Sequence, residues 1–280
     1  MPTSSWIITG PQHLDIDALA RLRVQLVHGA VEITGRAEPG VHVEILEVVG
    51  APLEVTKEGD RVSVGYPSLG WDGWMKRLTS LRTPDRAVVR IAVGPGVEVT
   101  AATVAATITV RDVAEDVVAV SAAGATLAER TRGSVNAKTA SGPVAVRDHV
   151  GPASVITVSG AVDLDGDLPR VTVTTVSGAV TLAPAAPSSV VAVTTVSSAT
   201  AISLPAGTGI DLTVRAIAGS VRVDGVERRT ASGPSTTTLA EPGAAGTSFV
   251  RIATVNGPVT VTLGGSAVPG GGAGEDGPTA

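Results

Sequence analysis

The stretch Val158-Ser159-Gly160-Ala161-Val162-Asp163-Leu164 returns 18 residues later as Val176-Ser177-Gly178-Ala179-Val180-Thr181-Leu182. The glycine anchors a longer series. Ala106, Gly124, Gly142, Gly160 and Gly178 follow one another at intervals of 18, and Ser198, Gly219 and Gly257 continue at steps of 20, 21 and 38. Two residues before each anchor the chain is always apolar (Val104, Ala122, Ala140, Val158, Val176, Val196, Ile217, Val255). One residue before, it is small; four residues after, it is apolar again. The other half of the period holds pairs such as Val135 with Ala137 and Val171 with Val173, and Gly133 and Gly151 fall midway between anchors. Each unit therefore carries two short alternating strands and two turns. Alternation puts every second residue on one face, and the apolar set is predicted to point inward.

A strand of four or five residues cannot bury its apolar side alone. Stacking the units solves this, because each coil adds strands about 4.8 Å above the last and shares a parallel ladder with it. The sequence thus predicts an all-β chain: a flattened parallel β-solenoid with coils of 18 residues, two short strands per coil, and a cap at each end. Gly and other small residues at the corners let the backbone turn tightly. Equivalent positions should form vertical ladders, Ser141, Ser159, Ser177 and Ser197 among them.

Working outward, residues 24–64 also alternate, from Val24 and Leu26 to Val62 and Val64. His28-Gly29-Ala30-Val31 echoes the repeat, and Glu58-Gly59-Asp60 reads as a hairpin turn. This region should open the sheets and block their first edge, since a bare solenoid end invites edge pairing. Residues 66–86 break the pattern. Trp71, Trp74, Met75, Leu78 and Leu81 fall near helical spacing, and Tyr66, Trp71 and Trp74 gather three of the five aromatic residues. A Gly/Ser/Thr-rich insertion runs from Gly225 to Phe249, and a Gly/Pro-rich tail follows Gly264. The expected organisation is an N-terminal β region with the Trp-containing capping segment over 1–86, solenoid repeats with a C-terminal cap over 87–263, and a disordered tail over 264–280.

Composition narrows the function. With 33 Gly, 18 Pro and so few aromatics, the core must be built from Val, Ala, Ile and Leu. A net charge of −5 and a pI near 5.4 argue against a nucleic-acid partner, which needs a basic face. The absence of Cys removes disulfides and thiolate chemistry. His13, His28, His42 and His149 have no metal-ligand spacing, and no nucleophile, phosphate-loop or dinucleotide motif occurs. The Ser-Gly pairs recur at every corner, whereas a nucleophile needs one activated copy. Asp163-Leu164-Asp165-Gly166-Asp167 looks like part of a calcium loop but lacks its distal Glu, so it reads as a charged outer turn. Three residues after each anchor stand Thr109, Leu127, Ala145, Asp163, Thr181, Ala201, Arg222 and Thr260. That outward column holds one carboxylate, not the pair a glycosidase uses. No catalytic residue, cofactor or metal is expected.

The Val-Ser-Gly-Ala-Val units, the stretch from Ala87 to Val99 and the closing Ile252-Ala253-Thr254-Val255-Asn256-Gly257-Pro258-Val259 resemble the DUF4097 family. These are bacterial β-strand-repeat proteins, adhesin-like and related to toastrack domains of envelope-stress systems. The resemblance covers roughly residues 20 to 263 and implies fold more than activity. The expected function is a non-enzymatic interaction platform or scaffold; the alternatives are a self-assembling filament resembling bactofilins and a carbohydrate-binding, adhesin-like protein. Met1 to Gly10 lacks a basic n-region and no long apolar stretch occurs, so the expected location is the cytoplasm, with the periphery of the membrane as the alternative. Expected partners are another protein, a second copy or a membrane surface. Trp71, Trp74, Lys76 and Arg77 are the expected contact residues, on a segment that also suits a lid over the solenoid.

Overall fold

The computed structural model describes residues 3–17, 20–66, 85–229 and 233–264. Every element among them is a strand, and the strands form two thirteen-stranded sheets. Each coil gives one strand to each sheet. In the middle of the stack, sheet I runs through Val117–Ser121, Val135–Thr139, Ala153–Thr157, Arg170–Ser177 and Val190–Ser197. Sheet II runs through Thr126–Glu129, Val144–Val150, Val162–Asp167, Val180–Pro184 and Thr200–Leu204. All these neighbours are parallel, with Val117 beside Val135, Ala153 and then Val171. The period read from the sequence is thus the pairing register.

The two sheets face each other across a core of Val, Ala, Leu and Ile. Val162 and Val180 lie side by side in sheet II and are both buried. Burying each such side chain is worth about 1.5–3 kcal/mol, and stacking coils is the only way strands this short collect enough of it.

The anchor ladder forms as expected, for a reason different from the one the sequence suggested. Gly124, Gly142 and Gly160 do not have positive φ. They are needed because a Cβ at each would land on the carbonyl oxygen of the anchor one coil below: Ala106, Gly124 and Gly142 respectively. Close approach of backbones, rather than left-handed conformation, selects glycine there. Positive φ is found at the later anchors Gly178 and Gly219, at 116° and 113°, and at the other corner, where Asp112, Arg130 and Asp148 have φ of 56°, 50° and 49° and Gly166 takes the equivalent place. Asp tolerates that region better than most residues.

One expectation about the core is overturned. The apolar column two residues before the anchors faces out, with Val158, Val176, Val196, Ile217 and Val255 between 42% and 53% exposed. The inward place is taken by the residue before it: Ser121, Thr139, Thr157, Thr175, Thr195 and Thr254 are all buried. The hydroxyls of Ser121, Thr139 and Thr157 accept the amide hydrogens of Gly124, Gly142 and Gly160 at 2.8, 3.0 and 2.9 Å. Strict alternation then sends the following valine outward.

At both ends the order of coils in space departs from their order in sequence. The coil made by Arg21–Leu26 and His28–Gly35 lies between the coil of Arg61–Gly65 and Arg86–Val93 and the coil of Glu98–Thr103 and Thr107–Arg111. At the far end, Gly246–Asn256 and Val259–Leu263 slide between the coil of Val190–Ser197 and Thr200–Leu204 and the coil of Thr208–Ala218 and Val221–Val223. Gly257 accordingly sits against Ser198, and Gly219 against Gly257.

Antiparallel strands close the stack. Thr3–Ile8 pairs with Leu53–Glu58 and Gln12–Ile16 with Val41–Val49. The Glu58-Gly59-Asp60 hairpin is present. The Gly225–Phe249 insertion supplies Val226–Arg229 and Ser235–Glu241, which cover the last coil. Tyr66 is buried, and burial pushes its phenol up to about 12. Trp71, Trp74, Lys76 and Arg77, the helix expected around them and the tail beyond Gly264 lie outside the described residues.

Candidate functional site

The two outer faces of the solenoid differ in chemistry. On sheet II the first half carries a lattice of ion pairs. Arg111 bridges Glu32 at 2.8 Å and Glu129 at 3.0 Å, and Arg90 also meets Glu32 at 3.2 Å. Arg130, at its left-handed corner, holds Asp112 at 2.8 Å and Glu129 at 2.6 Å. Hydrogen bonds from Arg130 and Arg111 keep the carboxyls of Asp112 and Glu129 below the usual range. The column three after the anchors does line this face, Thr109 beside Leu127, Ala145, Asp163, Thr181 and Ala201. Asp163 faces outward as expected, 3.8 Å from Arg147; partial burial raises its pKa against the pull of that arginine.

Sheet I is different. From Val118 to Ile217 its outward residues are almost all Val, Ile, Ala, Thr and Ser; the charges among them are Lys138, Arg170, Arg251, Arg215 and Asp211. The exposed aliphatic column runs along this face as Val158, Val176, Val196, Val255 and Ile217, one residue per coil in spatial order. Beside it runs a second column, Ile156, Thr174, Thr194, Ala253 and Arg215.

Toward the far end these columns border a hollow of about 560 Å³ lined by Val196, Val255, Ile217, Arg215 and Pro234. A second hollow of about 500 Å³ adjoins it through Thr194, Arg215 and Ala253, and takes in Arg251 and Ala192. Small side chains between larger ones create both. Neither Arg215 nor Arg251 has a carboxylate within ion-pairing distance among the described residues. At the opposite end a hollow of about 380 Å³ is lined by Arg21, Arg23, Arg61 and Glu98, but Arg21 is already committed to Asp60 at 2.8 Å.

The histidines resolve in three ways. His13 and His42 stack at 6.3 Å on sheet II, and His42 Nδ1 lies 2.7 Å from the Asp15 carboxylate, which that bond keeps below the usual range. His28 stays apart. His149 is fully buried, with Nδ1 2.9 Å from both the hydroxyl and the carbonyl oxygen of Thr131 and burial lowering its pKa. Among the described residues no three His, Cys, Asp or Glu side chains gather as a metal site. No helix there is long and apolar enough to cross a membrane.

The sequence reading missed Arg215, Arg251 and the outward aliphatic column. The repeat alignment contained the signal: carried back four and six residues from the anchors Gly219 and Gly257, it puts Arg215 and Arg251 on the same outward parity as Ile217 and Val255.

Fold and face together define a flattened parallel β-solenoid with an ion-pair lattice on the first half of sheet II and an exposed aliphatic column on the later coils of sheet I. No protein-family model and no curated protein sequence matches the chain. Among solved structures it is similar to a candidate lipid-binding protein from Parabacteroides distasonis, with 12% identity and a TM-score of 0.46 over 92% of this chain and 95% of that one. It is also similar to a candidate adhesin from Bacteroides fragilis, with 7% identity and a TM-score of 0.42 over 93% and 97% of the two chains. A candidate adhesin from Parabacteroides merdae matches with 10% identity and a TM-score of 0.35 over 92% and 95%. Similarities of this size carry no functional argument, and the fold stands on the strand pairing above.

Proposed function

We propose that the chain is a non-enzymatic binding scaffold whose working surface is the outer face of sheet I, and that the partner is a protein. The contrast between the two faces carries this reading. The centres of protein interfaces are depleted of charge and enriched in apolar area, and a contiguous exposed aliphatic stripe is uncommon on a surface with no partner. Sheet I has that character along the Val158–Ile217 column, while over the same coils sheet II turns out the smaller, more polar Thr181, Ala201 and Thr260, its ion pairs lying earlier in the stack. A photo-crosslinking residue placed at Val176 on sheet I, or at Thr181 on sheet II, tests it in cells. The reading expects a discrete polypeptide adduct from position 176 and none from 181. Adducts from 181 alone, or from neither, count against it.

A second reading is self-assembly through the end of the stack. Ser235–Glu241 is the last strand of sheet I, and its first six residues carry no charge and no Pro, the usual means of blocking an edge. Light scattering of the purified chain against Thr238→Lys separates this from the first reading, since the lysine should dissolve end-to-end assemblies and leave the face of sheet I intact.

A further inference from the structure

The hollows on sheet I have a polarity that the scaffold reading does not use. Arg215 and Arg251 stand on neighbouring strands. Arg251 is the lateral partner of Thr213, two residues before Arg215, so the two arginines are diagonal neighbours. Their Cα atoms are about 8 Å apart, from a strand spacing of ~4.8 Å and a rise of ~3.3 Å per residue. Between and beside them lie Ala253 and Ala192, too short to fill the space. Two guanidinium groups can therefore close on one anionic group from two sides, and a planar carboxylate fits a guanidinium fork. The nearest acid on this face, Asp211, is diagonal to Arg251 on the side away from Arg215, and forms no ion pair with it.

From Arg215 the surface turns apolar in one direction only. The gutter between the column ending at Arg215 and the column ending at Ile217 runs back across Val255, Val196, Val176 and Val158. Four rungs at ~4.8 Å make a path of about 19 Å. Thr194 and Thr174 on its other wall are small, so an extended aliphatic chain can lie against the valines without displacing anything. Cationic head and aliphatic track are contiguous because the coils that carry them are adjacent.

We infer that this trough binds an anionic single-chain amphiphile of the fatty-acid class, its carboxylate between Arg215 and Arg251 and its alkyl chain along the Ile217–Val158 column. The inference rests on the assignment of sheet I as the working surface and goes beyond the protein-partner reading, since an alkyl chain and a polypeptide would compete for the same column. The two tests fail separately, because crosslinking at Val176 needs neither arginine.

The experiment is calorimetric titration of the full chain with laurate, with dodecanol and dodecyltrimethylammonium as controls of equal chain length. Laurate should bind saturably at one per chain, and both controls about tenfold more weakly or worse. Arg215→Gln and Arg251→Gln should each weaken laurate by about tenfold, and Val255→Asp should remove binding. All three sites are exposed, and unchanged melting curves show that each variant is folded. No laurate binding, or binding that both arginine variants keep at full strength, overturns the inference. So does retention on anionic vesicles by a chain that ignores free laurate, since that places recognition in a bilayer surface.

Discussion

The amide of Gly160 donates to the hydroxyl oxygen of Thr157 at 2.9 Å. This one bond ties the identity of an inward polar residue to the tightness of a corner. The same geometry recurs one coil below, from Gly142 to Thr139. Thr157→Val keeps the shape and removes the acceptor, leaving a buried amide without a partner. It should cost about 1–3 kcal/mol in urea unfolding.

Thr195 and Thr254 occupy the same column, yet their hydroxyls find no partner. Removing a buried hydroxyl is costly when it leaves its partner unsatisfied, and here no partner is left behind. Thr195→Val and Thr254→Val should therefore be neutral or stabilising by up to about 1 kcal/mol, opposite in sign to Thr157→Val. The three variants measured under the same conditions give a direct comparison.

Glycines separate into two kinds. Gly142→Ala drives a methyl into the Gly124 carbonyl and should cost about 1–3 kcal/mol or more as the coils are forced apart. At Gly225, φ is 75° and nothing stands near the site of a Cβ, so Gly225→Ala carries only the left-handed penalty of about 1–2 kcal/mol. Thermal melts should also show the Gly142 variant losing cooperativity, because its clash lies between coils.

The two sides of one strand give a further check. Val173 is fully buried and Val176 is outward. Val176→Asp should change stability by no more than about 0.5 kcal/mol, whereas Val173→Asp buries a charge and should prevent folding. Circular dichroism of the two proteins suffices.

His149 makes stability depend on pH. Its Nδ1 lies 2.9 Å from both the hydroxyl and the carbonyl oxygen of Thr131 and the ring is buried, so the fold favours the neutral form. Burial lowers its folded pKa from 6.5. The unfolded chain then binds a proton that the folded chain refuses. Stability is full above pH 6.5 and is lost as pH falls from there toward the folded pKa, at up to about 1.4 kcal/mol per pH unit. His149→Gln should flatten the urea midpoint between pH 7.5 and 5.5; an unchanged slope would show that other groups set it.

What the sequence made legible was equivalence. A period of 18 says that Val162 and Val180 play one part, and the parallel ladder places them side by side. It does not order the copies. Val255 and Ile217 are equally good neighbours for Val196 by pattern, and only the packing of whole coils decides that Val255 stands next to it. Nor does apolarity settle a facing: Val158 and Val162 are four residues apart in one chain segment, and the corner between them turns one out and the other in. The arginines stand four and six residues before Gly219 and Gly257, outside the positions that the repeat holds constant, so the period does not single them out. The contact residues expected around Trp71 rest on a segment without the repeat, where no register argument reaches.

The interleaving of the terminal coils has a consequence for biosynthesis. A ribosome releases Thr208–Val223 before Gly246–Leu263. When the earlier segment emerges, its eventual neighbour has not been made, and the exposed edge of Val190–Leu204 offers the nearest parallel template. Any pairing formed then has to open again, or wait, before the last segment can wedge into place. Folding of this chain is therefore not finished in the order of translation. Closure of the stack waits for Gly246–Leu263, and the nascent protein carries an open seam until they arrive.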